Sequence, residues 1–317
     1  MSGVGKHVVA VDEAGLRLDR WFQRHFPSLP HARLQALLRG GHVRLDGRRA
    51  KANDRLVAGQ TIRVPPLEEK PPVARPAGPP PAELARDIAE LQRRVLYRDD
   101  EVLIIDKPAG LATQGGSKTF RHLDACLDGL ALGGERPRLV HRLDKDTSGT
   151  LVLARTVAAA ARLGEAFRRQ RVRKLYWALT LGRSSAASGR IDLPLARAGG
   201  AGRERIVVDR EAGQPATTCF RELDHAGEAF AWLELEPLTG RTHQLRVHCV
   251  ALGAPIVGDG KYGGRGGADL LPDAGRLHLH ARAVTLPLAD GETLTCVAPL
   301  PPHMRRSFRV LGFATPD

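Results

Sequence analysis

Three things are missing from this sequence, and each absence removes a class of protein. Cysteine is scarce and scattered: Cys126, Cys219, Cys249 and Cys296 form no Cys-x-x-Cys pair. Neither a zinc site nor a disulfide framework is expected, and reduced, buried thiols are. No apolar run approaches the roughly 18 residues that cross a bilayer, and the start, MSGVGKHVVAVDEAG, has no apolar signal core. The expectation is a cytoplasmic protein that does not use a membrane. Nucleotide and hydrolase signatures are absent as well. Gly253–Gly258 imitates the start of a phosphate-binding loop, but Asp259 stands where lysine is required. His141-Arg142 is followed by Leu143, which breaks the kinase catalytic loop, and Ser148 lies in no Gly-x-Ser-x-Gly elbow. Asp146-Thr147-Ser148-Gly149 carries an extra residue relative to an aspartic-protease signature and has no second copy. His243 and His248 lie five apart, which misses the i, i+4 spacing of a helical zinc pair, so no metal site is expected. No period of 20–50 residues marks a repeat architecture.

What is present is a basic chain of ordinary hydrophobicity. Its 317 residues are 42% hydrophobic, enough for a sizeable core and about two domains. The formal net charge of +13 points to a polyanionic partner. A GC-rich coding sequence would inflate arginine, yet it does not account for the net charge. Residues 1–66 carry 12 Lys+Arg against 5 Asp+Glu, a net of +7, so more than half of the excess sits in about a fifth of the chain.

The segment 66–82, PLEEKPPVARPAGPPPA, is too rich in proline and too poor in large apolar residues to bury a core. The chain therefore divides into a basic module over 1–65, a linker over 66–90 and a large domain over 91–317. In the module, Leu16, Leu18, Trp21 and Phe22 open one helix, and Leu34, Leu37 and Leu38 mark a second, stopped by Gly40-Gly41. His42 to Gly47 alternates like a strand, Asp46-Gly47 signals a hairpin, and Thr61–Val64 closes the module as another strand. Arg33, Arg39, Arg44, Arg48, Arg49 and Lys51 occupy polar positions there. A charged face is often merely solvated, but with so little acid to balance it a phosphate-contacting surface is the better reading.

In the large domain Val102–Ile105, Thr150–Ala154, Leu175–Leu181, Phe220–Leu223, Phe230–Leu235 and Leu277–Leu286 read as strands, with an alanine-rich helix from Val157 to Phe167. Several neighbouring strands have no helix between them, which predicts an α+β domain with a mixed, largely antiparallel sheet. Three polar clusters stand out. In LVHRLDKDTSGTLVL (139–153), His141, Arg142, Asp144, Lys145, Asp146, Thr147 and Ser148 crowd one loop between apolar runs. Such loops, held by a rigid frame, are where catalytic groups concentrate, although a solvated loop has the same composition. In TGRTHQLRVH (239–248), Arg241, His243 and His248 supply polar groups while Leu245, Cys249 and Leu252 form one helical face. In the strand Lys174-Leu175-Tyr176-Trp177, Lys174 and Tyr176 share a face. Tyr176 is either a core tyrosine with its hydroxyl satisfied or a ring that stacks on a base. His278 and His280 point to one side of a strand and read as core or surface histidines.

The segment LVHRLDKDTSGTLVLAR resembles the signature of the RluA-type pseudouridine synthases. So, in family order, do IDKPAGL (105–111), KLYWALTLG (174–182), PLTGRTHQLRVHCVALGAPIVGDGKYG (237–263) and LHLHA (277–281). The basic module resembles the small αL-type RNA-binding module first known from a ribosomal small-subunit protein, with Ala32-Arg33 where Ser-Arg is common. Gly115-Gly116-Ser117 and residues 203–207 are similar to the RluC-like branch, which acts on large-subunit ribosomal RNA, while Gln114 departs from its usual His. The resemblance implies the pseudouridine synthase fold and a cofactor-free isomerisation of uridine in RNA. The partner implied is ribosomal RNA of the large subunit, with no obligatory protein partner. The same chemistry on transfer RNA or another RNA, and a non-catalytic RNA-binding role in ribosome assembly, are the alternatives. It further implies Asp144 as the essential carboxylate, acting on the ring, on the sugar or on a sugar proton. Arg241 would be its guanidinium partner, and Tyr176 the tyrosine that packs on uracil and takes a proton. Lys107, His141, Arg142 and Lys174 would contact RNA.

Overall fold

The computed structural model describes residues 5–67, 80–116, 119–200, 204–263 and 270–314, except for the side chains of residues 31 and 32. It resolves into two compact units, Met1–Ala77 and Gly78–Asp317. No helix among the described residues is long and apolar enough to cross a membrane.

The first unit runs β1 (Gly5–Val8), α1 (Leu18–His25), α2 (His31–Arg39), β2 (Arg44–Leu45), β3 (Arg48–Arg49) and β4 (Thr61–Val64), with sheet order β1-β4-β2-β3. Asp46 and Gly47, at φ 48° and 78°, form the two-residue turn between β2 and β3. Positive φ at both central positions is what the Asp-Gly pair supplies. Leu18, Trp21 and Phe22 from α1 meet Leu34 and Leu38 from α2 over Val43, Ile62 and Val64 of the sheet side. Strand β1 carries no strong sequence signal and pairs along the whole of β4.

The second unit begins inside the stretch expected to be linker. Pro81–Arg93 is a helix, α3, with proline in its first turn. A proline there lacks only an N–H that no helical carbonyl needs, so the run that ends the extended segment also starts the helix. Leu91 is fully buried in the main core, with Leu84 and Ile88 packed against it. Residues 68–79, the centre of the proline-rich run, lie outside the described residues, as do Ser117 and Arg203.

The remaining elements are β5 (Val95–Arg98), β6 (Val102–Lys107), α4 (Leu123–Cys126), β7 (Arg138–Leu139), β8 (Ser148–Ala154), α5 (Val157–Arg168), β9 (Arg173–Leu181), β10 (Ser188–Asp192), β11 (Leu195–Ala198), β12 (Arg205–Val208), β13 (Thr217–Ala226), β14 (Phe230–Pro237), α6 (Gln244–Ala251), β15 (Leu279–Pro287), β16 (Thr293–Val297) and α7 (Pro302–Val310). One sheet runs β10-β13-β14-β9-β15-β8-β6-β5, with β16 beside β15 and β7 beside β8. Every pairing in it is antiparallel except β15 with β8, where His280 faces Ser148 and Ala281 faces Gly149. This is the mixed, largely antiparallel α+β sheet that the strand spacing predicts. Strands β6 and β8 are buried along their full length, so the apolar runs VLIID and TLVLA read as continuous rather than alternating. Cys126, Cys249 and Cys296 are buried free thiols and Cys219 is half-buried.

Candidate active site

Asp144 lies in the loop between β7 and β8, with its side chain 21% exposed. The loop is clamped on both sides of it. On one side, Thr113 Oγ1 accepts the Leu143 N–H at 3.2 Å and donates to the Leu143 carbonyl at 2.7 Å. On the other, the Lys145 carbonyl accepts from Gly110 N–H at 2.9 Å and from Lys107 Nζ at 3.1 Å. The segments IDKPAGLAT and HRLDKD thus work as one unit, the first gripping the second. Lys107 is fully buried and spends its other hydrogen bonds on the carbonyls of Pro108 and Leu111. Burial pulls its pKa down to about 7 against the charges of Asp146, Asp144 and Asp106. Three carbonyls take three ammonium hydrogens, which favours the protonated form. Expected as an RNA contact, Lys107 is instead an internal tie, because the strand that carries it is covered on both faces.

Downstream the loop is anchored to β15. Ser148 Oγ lies 2.9 Å from His280 Nδ1, and Thr150 Oγ1 donates to the Ala281 carbonyl at 3.2 Å. Gly149 sits between them at φ 109°, and a Cβ there would fall 2.2 Å from the Ala281 carbonyl oxygen. The Ser-Gly-Thr run is therefore a close crossing of two backbones.

His141 is likewise tied to the backbone. Its ring stacks on Phe167 at 4.4 Å, and its Nε2 accepts the Val152 N–H at 2.8 Å. Burial, helped by the charge of Lys174, depresses its pKa to about 3, so the ring is neutral at pH 7. Its accepting nitrogen is taken by the β8 backbone, so the ring helps hold the loop, while the half-buried side chain also lines the cavity beside Asp144. Arg142, by contrast, is exposed and lines the cavities on either side of Asp144.

A cavity of about 590 Å³ opens on one side of Asp144 and is lined by Arg142, Tyr176, Lys174, Arg241, His243 and Arg246, among others. A second, of about 1000 Å³, shares Asp144, His243 and Arg246 and adds Lys145, Lys261 and Arg276. Tyr176 and Lys174 project to the same cavity from β9, as the two-residue period requires. Tyr176 is 9% exposed, and burial, with a smaller contribution from the charge of Asp144, raises its phenol pKa. Burial lowers the Lys174 pKa, opposed by Glu236.

Arg241 does not pair with Asp144. It is exposed, and its Nε donates to the Pro215 carbonyl at 3.0 Å. The side chains drawn toward Asp144 come from α6 and the turn before it, which sequence reasoning had not singled out for this purpose. His243 Nε2 is 3.9 Å from Asp144 Oδ2. Arg246 makes two 2.7 Å bonds to Asp259 from a buried position. Burial alone would lower its pKa, but the hydrogen bonds to Asp259 and the charges of Asp259 and Asp144 outweigh that, and the net shift is upward. The helix is fixed by Gln244, whose Oε1 accepts from Thr239 at 2.7 Å and from Arg241 N–H at 3.0 Å. His248 is fixed likewise, with Nδ1 at 2.9 Å from Thr218 Oγ1.

The arrangement is a pocket roomy enough for a whole nucleotide, with one carboxylate, a buried phenol and a buried guanidinium on its walls and basic side chains at its rim. It can receive a flat, polar ring and the anionic backbone that carries it.

Comparison with known proteins agrees. A family model described as RNA pseudouridylate synthase matches residues 101–251. Ribosomal large subunit pseudouridine synthase C of Vibrio cholerae is 36% identical over 299 residues, covering 93% of this chain and 93% of the relative. The protein of that name from Escherichia coli is 34% identical over 310 residues, covering 96% and 95%. Among solved structures, human RNA pseudouridylate synthase domain containing 4 aligns with a TM-score of 0.64 at 30% identity, over 74% of this chain and 99% of that one.

Proposed function

The chain belongs to the RluA-type RNA pseudouridine synthases, and from that premise we propose that it isomerises uridine in large-subunit ribosomal RNA in the cytoplasm. Similarity over nearly the full length of relatives named for that substrate supports the target. The observation that carries the site is Asp144, clamped on both flanks and set where two basic-rimmed cavities meet.

The reaction breaks the bond from ribose carbon 1′ to uracil N1 and forms one from the same carbon to C5. The C5 proton leaves and N1 gains one, so composition is unchanged and no cofactor is consumed. A stacked base hides C5, so the nucleotide is extruded into the 590 Å³ cavity. Asp144 assists cleavage, and Tyr176 offers its ring face to the uracil. The raised phenol pKa keeps Tyr176 neutral, so it can take the C5 proton only as its own leaves to solvent in the cavity, from which N1 is reprotonated. Arg246, held by Asp259 and electrostatically coupled to Asp144, is the guanidinium of the site. Arg142, Lys174 and Arg241 contact the RNA around the extruded base. Arg33, Arg39, Arg44 and Lys51, all exposed on the first unit, contact phosphates farther along the strand.

The test is in vitro modification of a large-subunit ribosomal RNA transcript, with transfer RNA as the comparison and pseudouridines mapped chemically. The wild type should modify the ribosomal transcript. Asp144→Asn should lose at least about a thousandfold in rate, roughly 4 kcal/mol of barrier, with RNA affinity retained. Activity on transfer RNA alone would reject the target, and full activity in Asp144→Asn would reject the assigned carboxylate. Deletion of residues 1–77 should weaken RNA binding and flatten its salt dependence, because phosphate contacts release counterions.

A further inference from the structure

His243 stands where α6 begins, with a left-handed backbone at φ 53° and ψ 19°. Outside glycine this conformation is adopted by a few per cent of residues, asparagine, aspartate and histidine more than others, and such residues gather at functional sites. Here it aims the imidazole so that Nε2 faces Asp144 Oδ2 at 3.9 Å and Nδ1 faces Tyr262 Oη at 2.8 Å.

The hydrogen-bond chain beyond Tyr262 favours one tautomer of the ring. Tyr262 Oη already accepts the Ile206 N–H from β12 at 3.1 Å. The phenol has one hydrogen to give, and among the described residues its acceptor is His243 Nδ1. With the phenol hydrogen spent there, Nδ1 is the accepting nitrogen, and the proton of the neutral ring then sits on Nε2, directed at Asp144. Tyr262 is itself held firmly. Its ring lies against the guanidinium groups of Arg205 and Arg246, at 5.3 and 5.0 Å, and its N–H donates to Asp259 Oδ1 at 3.0 Å. Burial keeps the imidazole pKa below its usual range, with Arg246 and Lys261 acting in the same sense and Asp144 and Asp259 against it.

We infer that His243 is a positioning residue: a tautomer-locked neutral donor whose Nε2–H fixes one oxygen of Asp144 and leaves the other for the uridine. The inference rests on the reading of Asp144 as the catalytic carboxylate. The present separation exceeds a hydrogen bond, and contacts of this kind commonly tighten only when substrate fills the site. A neutral donor orients the carboxylate without cancelling its charge, which a protonated imidazole would do.

Two substitutions separate this role from a purely conformational one, because their predictions are opposed. The Nε2 of a glutamine reaches about as far as the imidazole Nε2. An asparagine tolerates the left-handed backbone better, but its amide reaches only as far as Nδ1. If the donor matters, His243→Gln keeps single-turnover pseudouridine formation within about tenfold of wild type. His243→Asn then loses about 10- to 100-fold, the worth of one hydrogen bond to a charged group, with RNA affinity unchanged in both. The reverse order would overturn the inference. Nitrogen NMR of the wild-type chain is an independent reading that needs no folded variant. It should show the proton on Nε2, shifting toward a mixture in Tyr262→Phe, and a proton on Nδ1 in the wild type would equally overturn it. A wild type that makes no pseudouridine in ribosomal RNA would instead undo the assigned function, and the NMR result would still decide the tautomer.

Discussion

Arg246 and Asp259 meet through two parallel hydrogen bonds of 2.7 Å, with side chains 10% and 1% exposed. Asp259 also accepts the backbone N–H groups of Lys261 and Tyr262 at 3.0 Å each. The guanidinium that shares the cavity walls with Asp144 is therefore immobilised by a carboxylate that has its own backbone supports. A fork held this way keeps its direction when a base enters, whereas a long side chain in solvent does not.

The pairing makes unequal demands on the two arginines of the segment. Arg246→Ala strands a buried carboxylate and should destabilise the chain by about 3–5 kcal/mol. Arg246→Lys keeps the charge without the fork and should fold better than the alanine variant while remaining well below wild type in turnover. Arg241→Ala, at an exposed position, should stay within about 0.5 kcal/mol in stability and weaken RNA binding more than turnover. Denaturant melts and single-turnover assays on the three variants check this. Equal losses of stability in Arg241→Ala and Arg246→Ala would contradict it.

Tyr176 allows ring and hydroxyl to be examined apart. The ring is buried beside Asp144, and the raised pKa leaves the phenol neutral at pH 7. Tyr176→Phe preserves packing and should retain RNA affinity while losing about 100-fold or more in rate, the scale of a positioned proton-transfer group. Release of a label from uracil C5 follows the proton directly. If glycosidic cleavage and C5–H loss both proceed normally in Tyr176→Phe, the hydroxyl has no part in proton handling.

At Gly149 the stability cost comes from the backbone and not from any lost contact. A methyl group would sit 2.2 Å from the Ala281 carbonyl oxygen, in a left-handed conformation that disfavours a side chain. Gly149→Ala should cost on the order of 3 kcal/mol and loosen the β8–β15 junction that carries the Asp144 loop. A melting curve matching wild type would mean the two strands can separate without cost.

Much of this was written in local patterns. The Asp46-Gly47 turn, the apolar runs of β6 and β8 and the shared face of Lys174 and Tyr176 follow from period and turn chemistry alone. Helix α3 was hidden because the prolines before it read as extended chain, although a proline at a first helical turn is also a start signal. Lys107 was misjudged because composition marks a polar side chain but not whether backbone carbonyls have already claimed it. Arg246 carried a usable clue. It is flanked by Leu245 and Val247, and all six residues from Gln244 to Cys249 are buried. An arginine in such company needs a carboxylate, and Asp259 lies thirteen residues on.

The first unit has its own buried acid, and its pH dependence can be worked out. Glu13 is 4% exposed, accepts from Trp21 Nε1 and from Ala10 N–H at 3.0 Å each, and pairs with His25. The hydrogen bond to His25 is the largest influence holding its pKa at about 2 against an ordinary 4.5, with desolvation opposing. As pH falls the unfolded chain takes up this proton first, so the stabilisation is complete above pH 4.5 and drains away toward pH 2. Hydrogen exchange of the α1 amides in the full chain should show protection lost across that window. Glu13→Gln should exchange faster already at pH 5.5 and change less on acidification, because its amide cannot take up the proton. If acidification erodes protection as steeply in Glu13→Gln as in wild type, the acid sensitivity belongs to other carboxylates and Glu13 is not the group that titrates.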